Sequence, residues 1–452
     1  MEWKRLLAFN LIPWMLFFGP AAEAAPQEAV TPEPAAAAAQ PAEAAEPSLL
    51  TAAFWQAKLA EPDAVVLKPA QIRELNAALR AHCHMGEDLA AYPATISGEA
   101  LRGYIQEAKP EQTRRYSADG QPLKRYQYLN GIKECAEELI PAQRAVRYAV
   151  TVRRADLRYL PLAEGWYDTP EEIPHYDALQ GLALEPAEPV AVLHVSRSGK
   201  YVFVASRDYR GWVDVRSLAF TDREHWLRYV QPEKFLVVTK NMYVLPVAGE
   251  TLLFQMGSRI PVVRRQGEGW LVRLPRAMGG GLSELELALP ASDGVHEGYL
   301  PYTRRILLQQ AFGFLGDVYG WGGQDNSVDC SSFVAKVYRT VGVELPGDSD
   351  RQEQACLHST DLQGKDAAAR QAALDAANPG DLLFRHGHVM FYLGEQAGVP
   401  MVIQSSSSYY MFEGEKLLEK VYVRRVLVSG LGMCTADGRT NFEVLTSIGA
   451  LP

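Results

Sequence analysis

Apolar residues recur at helical spacing early in the chain and alternate in short runs through its middle, and this change of period divides it. Ile72, Leu75 and Leu79, then Leu101, Tyr104 and Ile105, fall three or four positions apart, which puts each set on one helix face. From about residue 150 to 300 the texture is short β-type runs broken by turns, at 190–195, 201–205 and 211–215, then at 235–239, 260–263 and 269–273. Each set holds a Gly-Trp pair followed by alternating apolar residues, Gly211-Trp212 and Gly269-Trp270, where an indole can cover the end of a small core. Two small β-barrels fit, with a single larger β domain as the alternative. Helical spacing returns at 302–314 and in 331–342, where Phe333, Val334, Val337, Tyr338 and Val341 form one face and Gly342 supplies a stop. Strand-like runs at 389–393 and 401–404 follow. The fold class expected is α+β.

The first 48 residues describe a destination. Lys4 and Arg5 precede an apolar run at 6–18, and small residues follow at 22–24, the parts of a secretory signal cleaved after Ala24. The run is shorter than the roughly 20 apolar residues of a membrane span, and Pro13 interrupts it. No integral membrane segment is expected after cleavage; an uncleaved anchor is the alternative. Residues 25–48 are mostly Ala, Pro and Glu, too poor in apolar area to offset their ordering entropy, so a flexible spacer is expected. The division expected is a signal at 1–24, a linker at 25–48, a mainly helical domain at 49–150, β domains at 151–230 and 231–300, and a last domain at 301–452.

Charge and cysteine count narrow the partners. With 45 Lys and Arg against 54 Asp and Glu, a net charge of −9 offers no basic field for nucleic acid. Five cysteines in an exported chain leave at least one thiol without an intramolecular partner. Pairing Cys83 with Cys135 and Cys356 with Cys434 would leave Cys330 over, while five reduced thiols fit equally well. His82, Cys83 and His84 are consecutive, so their side chains diverge and make a poor metal site.

The chemistry gathers in the last 150 residues. A Gly-rich turn at 319–329 leads to Cys330, which then opens the buried helix. Unpaired amides and the helix dipole at that position are expected to lower the thiol pKa and make the sulfur nucleophilic. A thiolate needs an imidazole as base and acid. His388 opens the strand-like run and is favoured over His386 in the Arg-His-Gly turn. A hairpin through Gly394 and Gly398 can bring Gln404 near the His388 ring, where its amide oxygen would hold the tautomer. His386 and His388 lack a third ligand for a metal. No metal or cofactor is expected.

With these residues in place, the segment resembles the NlpC/p60 family of cell-wall cysteine peptidases. The matching residues are Tyr319-Gly-Trp-Gly-Gly, Asp329-Cys330-Ser331, Gly380-Asp-Leu-Leu-Phe and His388-Val-Met-Phe-Tyr-Leu-Gly394. Phe54, Trp55 and the stretch 67–72 look like the N-terminal stabilising segment of members that carry two bacterial SH3 domains. The resemblance implies a papain-like catalytic domain preceded by two SH3-like barrels and a mainly helical N-terminal domain. It implies hydrolysis of the γ-D-glutamyl–diamino acid bond of peptidoglycan stem peptides or muropeptides, in the periplasm or cell envelope. Cys330 would attack, His388 would act as base and acid, and Gln404 would orient it. Asp329, Ser331, Ser349 and Tyr319 would contact substrate, the acidic group suiting the free amine of an N-terminal L-Ala, and Tyr209 would add a wall from the first SH3 domain that favours cut muropeptides over sugar-linked stems. The chain departs from the family at Ser332, where Gly is usual, at Gln404, where His is commoner, and at Gly347, where Arg is frequent. A non-catalytic wall-binding protein and an amidase or acyltransferase on the same fold are the competing readings.

Overall fold

The computed structural model describes residues 48–82, 87–247, 249–414 and 416–451. The expected signal, nearly all of the spacer, and Cys83 and His84 lie outside the described residues. Among the described residues no helix is long and apolar enough to cross a membrane.

The helical stretch divides between two cores. Thr51 caps the helix Ala52–Gln56 by accepting the Phe54 amide, and Trp55 is fully buried with its indole N–H donated to the Leu49 carbonyl. Trp55 packs with Ile72, Leu75 and Leu79, which line one face of the helix Pro69–His82, into the same core as Phe333, Val337 and Phe391. This segment therefore braces the last domain. Leu101 and Ile105, from the helix Gly98–Ala108 capped by Ser97, instead join Phe203 and Trp212 of the first β unit.

In that unit the strands run in the order Leu218–Thr221, Arg147–Thr151, Pro189–Val195, Tyr201–Ala205, Arg210–Asp214, Ala155–Arg158, Gln180–Leu184. Its central strands are covered on both sides. Phe203, Ala205 and Trp212 face the N-terminal helices, while Val202, Val204 and Val213 fill the barrel interior. Two-sided burial explains why 201–205 reads as an unbroken apolar run. The second unit has its own core of Leu236, Phe254, Ile260, Trp270 and Val272. The two share a continuous sheet through one parallel pairing, Phe220 with Gly281.

The last domain is a six-stranded antiparallel sheet in the order His358–Asp361, Ser447–Ala450, Leu382–Arg385, His388–Gln396, Val399–Ser406, Arg425–Gly430. The helix Cys330–Arg339 packs Phe333, Val334 and Val337 onto Phe384, Phe391 and Ile403 of that sheet. Met390, Tyr392 and Val402 face a smaller core on the other side. The helix is also anchored to the first β unit. Buried Glu185 accepts from Arg154 at 2.6 Å, from Lys336 at 2.7 Å and from the Gln255 amide at 3.0 Å. Burial pushes the Glu185 carboxyl up, but Arg154 and Lys336 hold it below its ordinary value.

Candidate active site

The turn before Cys330 is shaped by close approach to the first β unit. Gly322 and Gly323 adopt φ of +54° and +83°, and a Cβ on Gly323 would sit 2.7 Å from the Ala183 Cβ. Only glycine meets both demands cheaply. The unit grips the turn by its backbone: Gln180 donates to the Gly322 carbonyl at 3.0 Å and Arg154 to the Gly323 carbonyl at 2.9 Å.

Asp329 is the N-cap of the catalytic helix. Its Oδ1 accepts from the Ser332 amide at 2.8 Å and the Ser332 hydroxyl at 2.7 Å, and its Oδ2 accepts from the Gly322 amide at 3.0 Å. Ser332, where the family usually has Gly, thus completes a capping box. Ser331 donates to the Gly347 carbonyl at 2.9 Å, tying the helix start to the next loop.

Cys330 and His388 line one cleft of about 430 Å3. The sulfur is reached by the Val389 amide, one residue beyond the imidazole. His388 Nε2 lies 2.7 Å from Gln404 Oε1, and Gln404 Nε2 donates to the Ser429 hydroxyl at 2.8 Å. Since the amide nitrogen is spent on Ser429, its oxygen must accept from the ring, which puts the imidazole proton on Nε2 and leaves Nδ1 as the base. His386, by contrast, is exposed and does not line the cleft.

The electrostatics differ from the sequence expectation. Burial, and then the Asp329 charge, push the Cys330 thiol up to about 12. Burial, and then the Arg385 charge, lower His388 to about 3. The helix terminus does not win here because the capping carboxylate of Asp329 already occupies it and Cys330 is only 8% exposed. Both shifts favour the neutral forms, thiol and imidazole.

Of the other expected residues, Asp329, Ser331, Ser349, Tyr319 and Tyr209 all line the same cleft. The Tyr209 hydroxyl donates to Asp348 at 3.3 Å. A Cβ on Gly347 would lie 2.2 Å from the Tyr209 ring, so the ring fills the space a larger residue at 347 would need. Cys330 and Cys434 carry free thiols, so the Cys356–Cys434 pairing is not formed; Cys135 is likewise a free thiol, and its proposed partner Cys83 is outside the described residues.

Among the lining residues that escaped the sequence reading are Tyr176 and Glu172, from the segment before the strand Gln180–Leu184, and Arg385 and Lys420. Tyr176 packs on Tyr319 and Trp321 with ring centroids 5.9 and 6.2 Å apart. Nothing local marks Tyr176 and Glu172, whereas Arg385 is separated from His388 by the two-residue turn 386–387 and could have been found by pairing the strands.

Residues 316–425 match the NlpC/P60 family model, and residues 167–214 match the model of an SH3 domain of the SH3b1 type. Comparison with curated proteins gives no match. Among solved structures the chain is similar to an NlpC/P60 endopeptidase from Photobacterium damselae subsp. piscicida, with a TM-score of 0.70 and 17% identity over 86% of this chain and 94% of that one. It is also similar to an NlpC/P60 family protein from Bacillus cereus ATCC 10987, with a TM-score of 0.47 and 18% identity over 68% of this chain and 100% of that one. The first of these likenesses concerns the fold, and the matched family segment contains Cys330, His388 and Gln404. The chain carries an NlpC/P60 domain behind a bacterial SH3 domain, the make-up of a cell-wall-associated peptidase.

Proposed function

We propose that this chain is an exported thiol peptidase that cleaves the γ-D-glutamyl–diamino acid bond of peptidoglycan stem peptides, preferring fragments with a free N-terminal L-Ala. The observation that carries it is the shared cleft of Cys330 and His388, with the ring oriented by Gln404 at 2.7 Å.

With both groups shifted toward their neutral forms, the thiol proton passes to His388 Nδ1 as the sulfur attacks the γ-carbonyl carbon. The carbonyl π electrons move to oxygen, and the cleft-lining Tyr319 hydroxyl, whose pKa desolvation holds well above its ordinary range, is a donor for that oxyanion. Collapse expels the diamino acid's amine, which takes the proton back from His388, and leaves a thioester on Cys330. Water, deprotonated by His388, then hydrolyses the thioester and frees the thiol.

Selection for a free amine rests on the end of the cleft formed by Tyr209, Asp348 and Ser349. Asp329 Oδ2 accepts the Gly322 amide and, among the described residues, no other donor, which keeps a lone pair for an ammonium. The Tyr209 ring closes the space beyond it.

Digestion of L-Ala-γ-D-Glu-diaminopimelate by the purified chain, followed by mass spectrometry, tests this reading. The expected products are L-Ala-D-Glu and free diaminopimelate, with none from Cys330→Ala. Release of L-Ala or of an N-acetylmuramoyl group from other substrates, with this peptide left intact, would replace it with the amidase reading.

A further inference from the structure

Strand pairing sets Arg385 directly opposite His388. Side chains opposite one another rise from the same face of a sheet, with Cβ atoms about 5 Å apart, so the guanidinium is the cross-strand neighbour of the imidazole. Arg385 also lines the cleft with Cys330 and Tyr319.

Its hydrogen bonds leave the charge uncompensated. Arg385 Nε donates to the Asn441 side-chain oxygen at 2.9 Å and Nη1 to the His386 carbonyl at 3.2 Å, both neutral acceptors. No carboxylate pairs with it among the described residues. Arg158 pairs with Asp177, Arg154 with Glu185 and Arg339 with Asp208, whereas buried Arg370 is met by four backbone carbonyls and lines no part of the cleft. The other cation of the cleft, Lys420, has Glu172 close enough to act on it electrostatically. A half-buried guanidinium without a counter-charge is held at a cost, and a cleft beside a nucleophile is where a ligand can supply the missing anion.

We infer that Arg385 is the carboxylate-reading residue of this cleft, its remaining N–H groups pairing with a free carboxylate that the substrate carries beside the scissile γ-amide. The inference rests on the proposed peptidase reading and deepens it. Two carboxylates fit that chemistry: the α-carboxylate of the D-glutamyl residue and the terminal carboxylate of the diamino acid. Amidation of either removes its charge while conserving its shape. A planar, bidentate guanidinium distinguishes carboxylate from carboxamide well. The bound carboxylate would also offset the positive charge that faces His388, so recognition and base strength would be coupled.

The test measures kcat/KM of the full chain on three peptides: L-Ala-γ-D-Glu-diaminopimelate, its D-isoglutaminyl counterpart, and the counterpart amidated at the terminal carboxylate of diaminopimelate. The wild type should lose about 10- to 100-fold on at least one amidated peptide, and the peptide affected identifies the carboxylate read. Arg385→Gln should lose a similar factor on the fully acidic peptide and treat all three alike, while Arg385→Lys should keep a reduced preference. Equal wild-type rates on all three peptides would overturn the inference, as would an Arg385→Gln variant that is slower yet discriminates as before, the signature of a structural role. Should Arg385→Gln fail to fold, Arg385→Lys decides alone: narrowed discrimination supports the inference and unchanged discrimination overturns it. A wild type inactive on the fully acidic peptide would instead sink the peptidase reading.

Discussion

The two β units lie side by side in one sheet and do different work. The first reaches into the cleft with Glu172, Tyr176 and Tyr209 and grips the turn before Cys330 through Arg154 and Gln180. The second lines none of that cleft among the described residues. It touches the catalytic domain through Met256, buried in that domain's core, and through Asn241, which donates to Asp317 at 2.9 Å. Neighbouring β units thus line the cleft in one case and brace the last domain in the other. Loops and buried charges make the difference, in keeping with function being carried by sites placed on a common fold.

The contrast can be broken most sharply at Glu185. Glu185→Ala leaves Arg154 and Lys336 buried without their anion, which should cost about 3–5 kcal/mol of stability, read from urea unfolding. Loss of less than about 1 kcal/mol would mean the junction is not held by charge. Next in size, Tyr209→Ala removes the wall; N-acylated stem peptides should gain roughly 10-fold relative to free-amine peptides, measured as a ratio of kcat/KM. An unchanged ratio would remove the first barrel from specificity. Smaller still, Asn241→Ala in the second unit should cost about 1 kcal/mol and leave kcat/KM unaltered.

Acid should act on the two junctions with opposite sign. Glu185 is held below its ordinary value of 4.5, so its stabilisation is complete above that pH and fades as pH falls through its lowered folded value. Burial raises Asp317 above its ordinary 3.8, against a smaller opposing effect of the Asn241 hydrogen bond. The folded state therefore takes up that proton first, and stability drops as pH rises through the window above 3.8. Urea unfolding of Glu185→Gln and Asp317→Asn between pH 3 and 6 should show acid sensitivity reduced in the first and increased in the second, each by less than about 1.4 kcal/mol per pH unit.

Much of the catalytic end was legible because its signals are local. Cys330 opening an apolar helix, and His388 opening a strand ahead of Gln404, are patterns of spacing, and the structure brings all three side chains together. The electrostatics were not legible. That Asp329 spends its carboxylate on the helix terminus, and that the sulfur is buried, are facts of packing, and they raise the thiol pKa where the dipole argument alone lowers it. Tyr176 and Glu172 were invisible for another reason: their role comes from how the first β unit docks, about 150 residues away in sequence from the nucleophile. The division of the helical stretch between two cores likewise depends on long-range contacts of Ile72 and Leu101 that no periodicity encodes.

The central claim is that the Cys330 sulfur forms a thioester with the γ-carboxyl of D-glutamate. Rapid acid quench of the enzyme with L-Ala-γ-D-Glu-diaminopimelate, followed by peptide mass spectrometry, tests it most directly. The account requires the L-Ala-γ-D-Glu acyl group on the peptide containing Cys330, transient in the wild type and absent from Cys330→Ala. Turnover of the peptide with Cys330 never acylated, or by Cys330→Ala at the wild-type rate, would contradict it.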